Sequence, residues 1–311
     1  MISFLKIKPI VIALLLVISA QESWAQYISA AQQQKEQIQP EGNQTLSLAY
    51  SNLFYMKNYE YFNHIQEGYT YFGTWQRPEL CYQPNDWLQL SVGFLAQHDF
   101  GEKKFSRLLP VYALQIQKNN FRFRFGTLEG NLNHGLIEPL MSYDKIIERP
   151  IEEGVQFLYK SKHFNADLWL DWQVLQQKGD DFPEEFTGGA ALKYTITKPE
   201  KSWQISVPLQ FVLPHRGGQM DNNISEVSTV IDGAIGLNAS WHNPKPLQFI
   251  QQVKADVYYA NYFHSEKAKS PYPFNRGNGI MANAVIQSRW GLSLVGTYWK
   301  GHQFINPRGA P

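Results

Sequence analysis

The chain has 311 residues, 28 basic and 27 acidic side chains, a net charge of +1 and 14% aromatic residues. Near-neutral charge with no basic stripe excludes a nucleic-acid partner, whose phosphates must be neutralised. One cysteine, Cys81, excludes intrachain disulfides. A mean hydropathy of −0.37 excludes a bundle of spanning helices, but not a barrel, which hides its apolar residues at every second position.

In chain order, Lys6 and Lys8 precede an apolar run from Ile10 to Ala20, and Ser23 and Ala25 suit the −3 and −1 sites of a signal peptidase. The run is shorter than the ~20 residues of a spanning helix, so residues 1–25 are predicted to be a signal peptide. Residues 26–42, with Gln32, Gln33 and Gln34, read as a polar periplasmic leader, and residues 43–311 as one domain. Cys81 lies too far from the cleavage region for a lipoprotein.

From Gln44 onward, period-two segments follow one another. Leu88, Leu90, Val92, Phe94 and Ala96 share a face. Phe121, Phe123 and Phe125 alternate with Arg122 and Arg124, and Phe164 to Trp172 alternates with Asp167 and Asp171. Trp203 to Leu213 and Ile231 to Trp241 repeat the pattern, although Pro208 predicts an edge or bulge. Successive strand side chains point to opposite faces, so each segment has an apolar and a polar side. Several segments reach the roughly nine to eleven residues of a tilted membrane-crossing strand. Asn119-Asn120 and Lys160 to Lys162 read as hairpin turns, while His215 to Ser225 and His264 to Gly279 read as extracellular loops. Trp87, Trp172, Trp203, Trp241, Tyr262 and Trp299 fall near segment ends, the place of an interfacial aromatic girdle. The fold expected is all-β: a transmembrane antiparallel up-and-down β-barrel of about 12–14 strands. Trp290 to Trp299 is the final segment; the last dozen residues read either as a tail or, with Gly301 to Pro311 as a loop interrupted midway, as the sign of a C-terminally truncated barrel.

An arginine on the lipid face near the midplane costs about 2–4 kcal/mol. Arg122 and Arg124 are therefore expected in the lumen, and the same phase puts Asp167, Asp171, Lys193, Asp232, Lys254 and Asp256 there. Arginines opposite aspartates would form the transverse field of a pore constriction; in a plugged interior they would pair with one another. His134 and Glu138 sit in a connection of about 25 residues, long enough to fold into the lumen or to remain an ordinary surface loop. The pairs Glu152-Glu153 and Glu184-Glu185 read as solvated surface. No GxSxG, HExxH, CxxC or phosphate-loop pattern occurs, so no catalytic residue, metal or cofactor is expected, and the chain is not expected to be an enzyme.

The runs Gly126 to Leu140, Glu148 to Tyr159 and Asp167 to Trp172 resemble stretches of porin-like outer-membrane proteins of Bacteroidetes that have no assigned substrate. Members of that family continue past a Pro-Arg-Gly matched by Pro307-Arg308-Gly309. The resemblance implies an outer-membrane location and a barrel fold, without catalytic residues. The expected function is a channel for small polar solutes, with outer-membrane lipid, lipopolysaccharide and the barrel-assembly machinery as partners. The alternatives are a plugged structural or interaction barrel, and an exported polysaccharide-binding β-sandwich.

Overall fold

The computed structural model describes residues 44–60, 68–129, 134–217, 227–245, 247–265 and 272–309. The expected signal peptide (residues 1–25) and leader (residues 26–42) lie outside the described residues. Thirteen strands follow in chain order: β1 (Thr45–Tyr59), β2 (Tyr69–Asn85), β3 (Leu88–Asp99), β4 (Arg107–Lys118), β5 (Phe121–Thr127), β6 (Glu153–Lys160) and β7 (Phe164–Val174), then β8 (Glu185–Thr195), β9 (Trp203–Arg216), β10 (Ser228–His242), β11 (Ile250–His264), β12 (Arg276–Ser288) and β13 (Ser293–His302). One short helix, α1 (Lys145–Glu148), interrupts the β5–β6 connection. Each strand pairs antiparallel with its sequence neighbours, so the sheet is a single meander. Among the described residues β1 and β13 each pair on one side only, and the sheet is open between them.

Local chemistry explains the turns. Lys118 pairs with Phe121 across Asn119-Asn120, and Asn119 takes φ 53°, the left-handed conformation that suits a two-residue hairpin. Pro208 is neither at an edge nor at a bulge, contrary to expectation. It lies inside β9, where the ladder to β10 skips from Ser206–Asn238 to Leu209–Ile235 without changing register. The proline that cannot donate thus falls in a gap that needs no donor.

The outward face carries Phe121, Phe125, Phe157, Leu168, Ile235, Val257, Tyr259 and Ile280, all exposed. So broad an apolar surface is unsuited to water and fits hydrocarbon. Connections of two to seven residues lie at one end of the strands, and the connections 60–68, 100–106, 128–152, 175–184, 217–227 and 265–275, of seven to 25 residues, at the other. This is an outer-membrane barrel wall with its long-loop end outward. The aromatic girdle is only partly as expected. Trp172 and Trp203 face out and are exposed, but Tyr262 is buried on the inner face and donates to the Phe274 carbonyl, and Trp299 packs against Phe304 on that same face.

The core is inside the barrel. Leu128, Leu136, Ile137, Leu140 and Met141 of the β5–β6 connection pack with Trp169, Val212, Ala234, Tyr258, Ala260 and Met281 of the wall. Ile147 and Ile151 join Tyr55, Trp75, Leu95 and Val111 in a second cluster. Leu140 and Met141 are fully buried, and each such side chain contributes about 1.5–3 kcal/mol over exposure. That burial folds the connection inward, where it forms a plug across the lumen.

Candidate active site in the lumen plug

Two kinds of anchor hold the plug. Its far end meets the β1–β4 wall: Lys57 pairs with Asp144, Tyr59 donates to the same carboxylate at 2.7 Å, Trp75 Nε1 donates to the Ile146 carbonyl at 3.0 Å, and Arg107 reaches the Ile147 and Glu148 carbonyls. Its near end meets β6, β7 and β9. Gln156 accepts from the Glu129 N–H at 2.8 Å; Gln210 accepts from the Ile137 N–H and donates to the Gly135 carbonyl, both at 3.0 Å.

Between these anchors lies His134. It has φ 51°, followed by Gly135 at 72°. A left-handed histidine is an uncommon, strained conformation, held only where its surroundings fix it. Here they do. The Asp167 carboxylate lies 2.9 Å from Nδ1 and the Glu152 carboxylate 2.9 Å from Nε2. The ring stacks on Trp169 with centroids 3.6 Å apart and planes 2° off parallel. Each ring nitrogen thus faces a carboxylate, and a neutral imidazole donates to one of the two at a time. Asp167 is fixed in turn by Gln156 Nε2 at 2.9 Å, and Glu152 is paired with Lys145. Glycine opposite Trp169 makes room for the indole, since a Cβ on Gly189 would stand 2.2 Å from the ring.

Burial acts to lower the Lys145 ammonium, and Asp171 opposes that fall. Contact with Glu152 opposes it further, and the ion pair is the state the geometry supports. Burial also raises the Glu138 carboxyl above its ordinary 4.5, with Lys57 opposing and Asp144 adding to the shift.

The inner face carries every candidate taken from strand phase, but not as a free field across a pore. Arg122 pairs with Glu129 at 2.7 Å, and Arg124 donates to the Thr127 carbonyl at 2.7 Å and to Gln115 at 3.2 Å. Asp171 accepts from the Glu153 N–H at 3.0 Å and from Gln173 at 2.9 Å, with Arg149 at 3.5 Å. Arg122 and Asp171 thus reach the plug through Glu129 and Arg149, while Arg124 braces β5 against β4, the paired arrangement of the plugged alternative. Asp232 is fully buried without a hydrogen bond to either carboxylate oxygen. Lys193, Lys254 and Asp256 lie lower on the inner face; Asp256 accepts from Asn283 at 2.7 Å. Glu138 lies on the plug but outside the histidine cluster.

Glu152 and Glu184 are buried rather than solvated, a correction of the loop reading. For Glu152 the reason is that the plug turns residues 148–152 into the lumen instead of out to water. Glu152, Gln156, Trp169 and Lys145 were missing from the candidate residues. One signal for them is present: the apolar stretch Leu136 to Met141 is out of place in a solvent-exposed loop. Three His, Cys, Asp or Glu side chains placed to hold a metal do not occur together among the described residues.

Residues 31–311 match the model of the family described as Lipid A 3'-O-deacylase-type. The chain belongs to this family. Its description is an enzymatic activity, which overturns the expectation of a non-enzyme. The porin-like resemblance holds at the coarser level of an outer-membrane barrel. No curated protein matches the chain. Among solved structures it is similar to a loop-deletion mutant of the outer membrane protein OmpT of Vibrio cholerae, at 10% identity over 83% of this chain and 94% of that one, with a TM-score of 0.41. OprD of Pseudomonas aeruginosa is similar at 8% identity over 89% and 92%, with a TM-score of 0.31. A mutant porin of Rh. blastica is similar at 10% identity over 83% and 100%, with a TM-score of 0.32.

The three sequence runs that carry the family resemblance meet at one place. His134 comes from the first, Glu152 and Gln156 from the second, and Asp167 and Trp169 from the third.

Proposed function

We propose that this chain hydrolyses an acyl ester of an outer-leaflet glycolipid of the lipid A kind, with His134 as the general base. The observation that carries the reading is His134 held between Asp167 and Glu152 at 2.9 Å on either side. Ester hydrolysis needs a group that takes a proton from water as its oxygen attacks the carbonyl carbon. An imidazole oriented by a carboxylate on its other nitrogen performs that role. Asp167, immobilised by Gln156, is the orienting carboxylate. Glu152 occupies the working nitrogen in the closed plug and has a second partner in Lys145, so it can withdraw without leaving a bare charge. With Nε2 free and the ring neutral, the water proton passes to it and the carbon–oxygen bond of the leaving alcohol breaks. That proton is then returned to the alkoxide, and the products are a fatty acid and an alcohol.

The test is incubation of the purified barrel with outer-membrane lipid extract and mass spectrometry of released fatty acid. Release by the parent and its loss in His134→Gln, with Asp167→Asn retaining part of it, is expected. No release above a heat-denatured control, from a folded barrel given lipid A species, overturns the reading.

A second reading, a gated channel for small polar solutes, is favoured by Lys193, Lys254 and Asp256 on the inner face below the plug, where they are partly or fully exposed. Conductance of the parent in a planar bilayer supports it; a silent barrel removes it.

A further inference from the structure

The chain after β13 turns back into the outer mouth. Phe304 packs on Trp299 at 5.2 Å and against Tyr262 at 6.4 Å, at the rim of the cluster that holds Met141. Asn306 then closes a turn. Its side-chain oxygen accepts from the N–H of Arg308 at 2.7 Å and of Gly309 at 3.1 Å, the local bonding that makes asparagine a turn residue.

The turn faces the plug on one side. The Asn306 amide donates to the Leu140 carbonyl at 2.8 Å, and the Ser142 N–H donates to the Arg308 carbonyl at 2.7 Å. Gly309 comes so close that a Cβ there would stand 2.1 Å from the Pro139 carbonyl oxygen. On the other side Arg308 reaches the wall. Its Nε donates to Thr187 Oγ1 at 3.2 Å, its guanidinium also bonds the Gln173 side chain, and Glu185 lies 4.0 Å away. One short segment thus bridges plug residues 139–142 and strands β7 and β8.

The position matters because the two ends of the plug are otherwise anchored to different walls. Residues 144–148 are tied to β1, β2 and β4, and Glu129, His134, Gly135 and Ile137 to β6, β7 and β9. Residues 139–142, between them, are tied to the returning segment: the Leu140 carbonyl accepts from the Asn306 amide, and the Ser142 N–H donates to the Arg308 carbonyl. We propose that residues 303–309 are a strap that holds the plug closed, and that its release opens the outer mouth to the chamber of His134. The strap explains how a histidine with no exposed side-chain surface becomes reachable. It does not depend on the reaction proposed above, because it concerns access alone.

The experiment uses the full chain with Cys81→Ser to remove the native thiol and Met141→Cys as a reporter inside the plug. A membrane-impermeant maleimide is applied to intact cells. Labelling is slow in this parent and is expected to rise about tenfold or more on Arg308→Ala, the factor expected when a hydrogen bond to a charged group is lost. Asn306→Ala, which removes the contact with Leu140 and the turn bonds to the Arg308 and Gly309 N–H groups while keeping the Arg308 guanidinium, is expected to act in the same direction. It also serves should Arg308→Ala fail to give a heat-modifiable barrel. Labelling rates in both folded variants within twofold of the parent overturn the strap. Because no ester hydrolysis is measured, an inactive barrel leaves this result intact.

Discussion

The strongest demand the geometry makes is that His134 and Asp167 act as a coupled pair. Replacing Asp167 with alanine removes the acceptor of His134 Nδ1 and of Gln156 Nε2, both buried. Breaking a buried charged pair from one side costs about 3–5 kcal/mol, because the remaining partner is left uncompensated. His134→Ala removes the ring from Trp169 as well as both carboxylate contacts, so a similar loss is expected. The double variant no longer strands one partner without the other. The two single losses should then exceed the double by more than about 0.5 and up to about 3 kcal/mol, the range of a direct contact in a double-mutant cycle. The assay is urea unfolding of the barrel in detergent, followed by the mobility shift between heated and unheated samples on a gel. Additivity within about 0.5 kcal/mol, the behaviour of independent sites, would falsify the pairing and with it the orienting role given to Asp167.

Other consequences follow from the same packing. Gly189→Ala drives a methyl group into the Trp169 ring; a loss of about 1–3 kcal/mol is expected from overpacking, and an unchanged unfolding midpoint counts against the stack. Arg122→Ala removes the guanidinium paired with the Glu129 carboxylate, whose side chain is 6% exposed; urea unfolding should show a loss of about 1.5–3 kcal/mol, that of a hydrogen bond to a charged group, while Arg122→Lys should recover part of it. Phe125→Arg places a charge on the lipid face and should cost about 2–4 kcal/mol near the midplane; tolerance at the level of Phe125→Leu would show that this face does not meet hydrocarbon. Glu138 is raised by burial, so the folded protein binds more protons than the unfolded chain between the ordinary 4.5 and the raised value. Stability therefore falls as pH rises through that window. Glu138→Gln should stabilise the barrel at pH 7 and have no such benefit at pH 4; a pH-independent effect would mean the carboxyl is not buried in solution.

The wall was legible because its information is local. Phe121 to Phe125 states face, phase and strand in five residues, and β5 starts at that phenylalanine. The penalty for an arginine in lipid then fixes the inward direction for every neighbour in register, from Gln115 across Arg124 to Gln156. Tyr262 shows where this logic stops. Its place near the end of a strand suggested the membrane interface, yet its inward phase and the partner at Phe274 decide that it is core. Position along a strand is weaker evidence than phase.

The site was not legible by the same means, because it is assembled from contacts between 11 and 33 residues apart. Period two says that Asp167 points inward; it does not say that His134 comes to meet it. The decisive quantity is the composition of the β5–β6 connection. A surface loop with Leu136, Ile137, Leu140 and Met141 in six positions would expose four large apolar side chains, and burying each contributes about 1.5–3 kcal/mol. No turn of the loop into solvent offsets that, whereas the lumen offers Trp169, Val212 and Met281 as partners. The plug is therefore required by its own hydrophobicity, and once it enters the lumen its polar groups must find partners there. Arg122, Asp167 and Asp171 are those partners, and their charges belong to the closure of the barrel before they can belong to any flow through it.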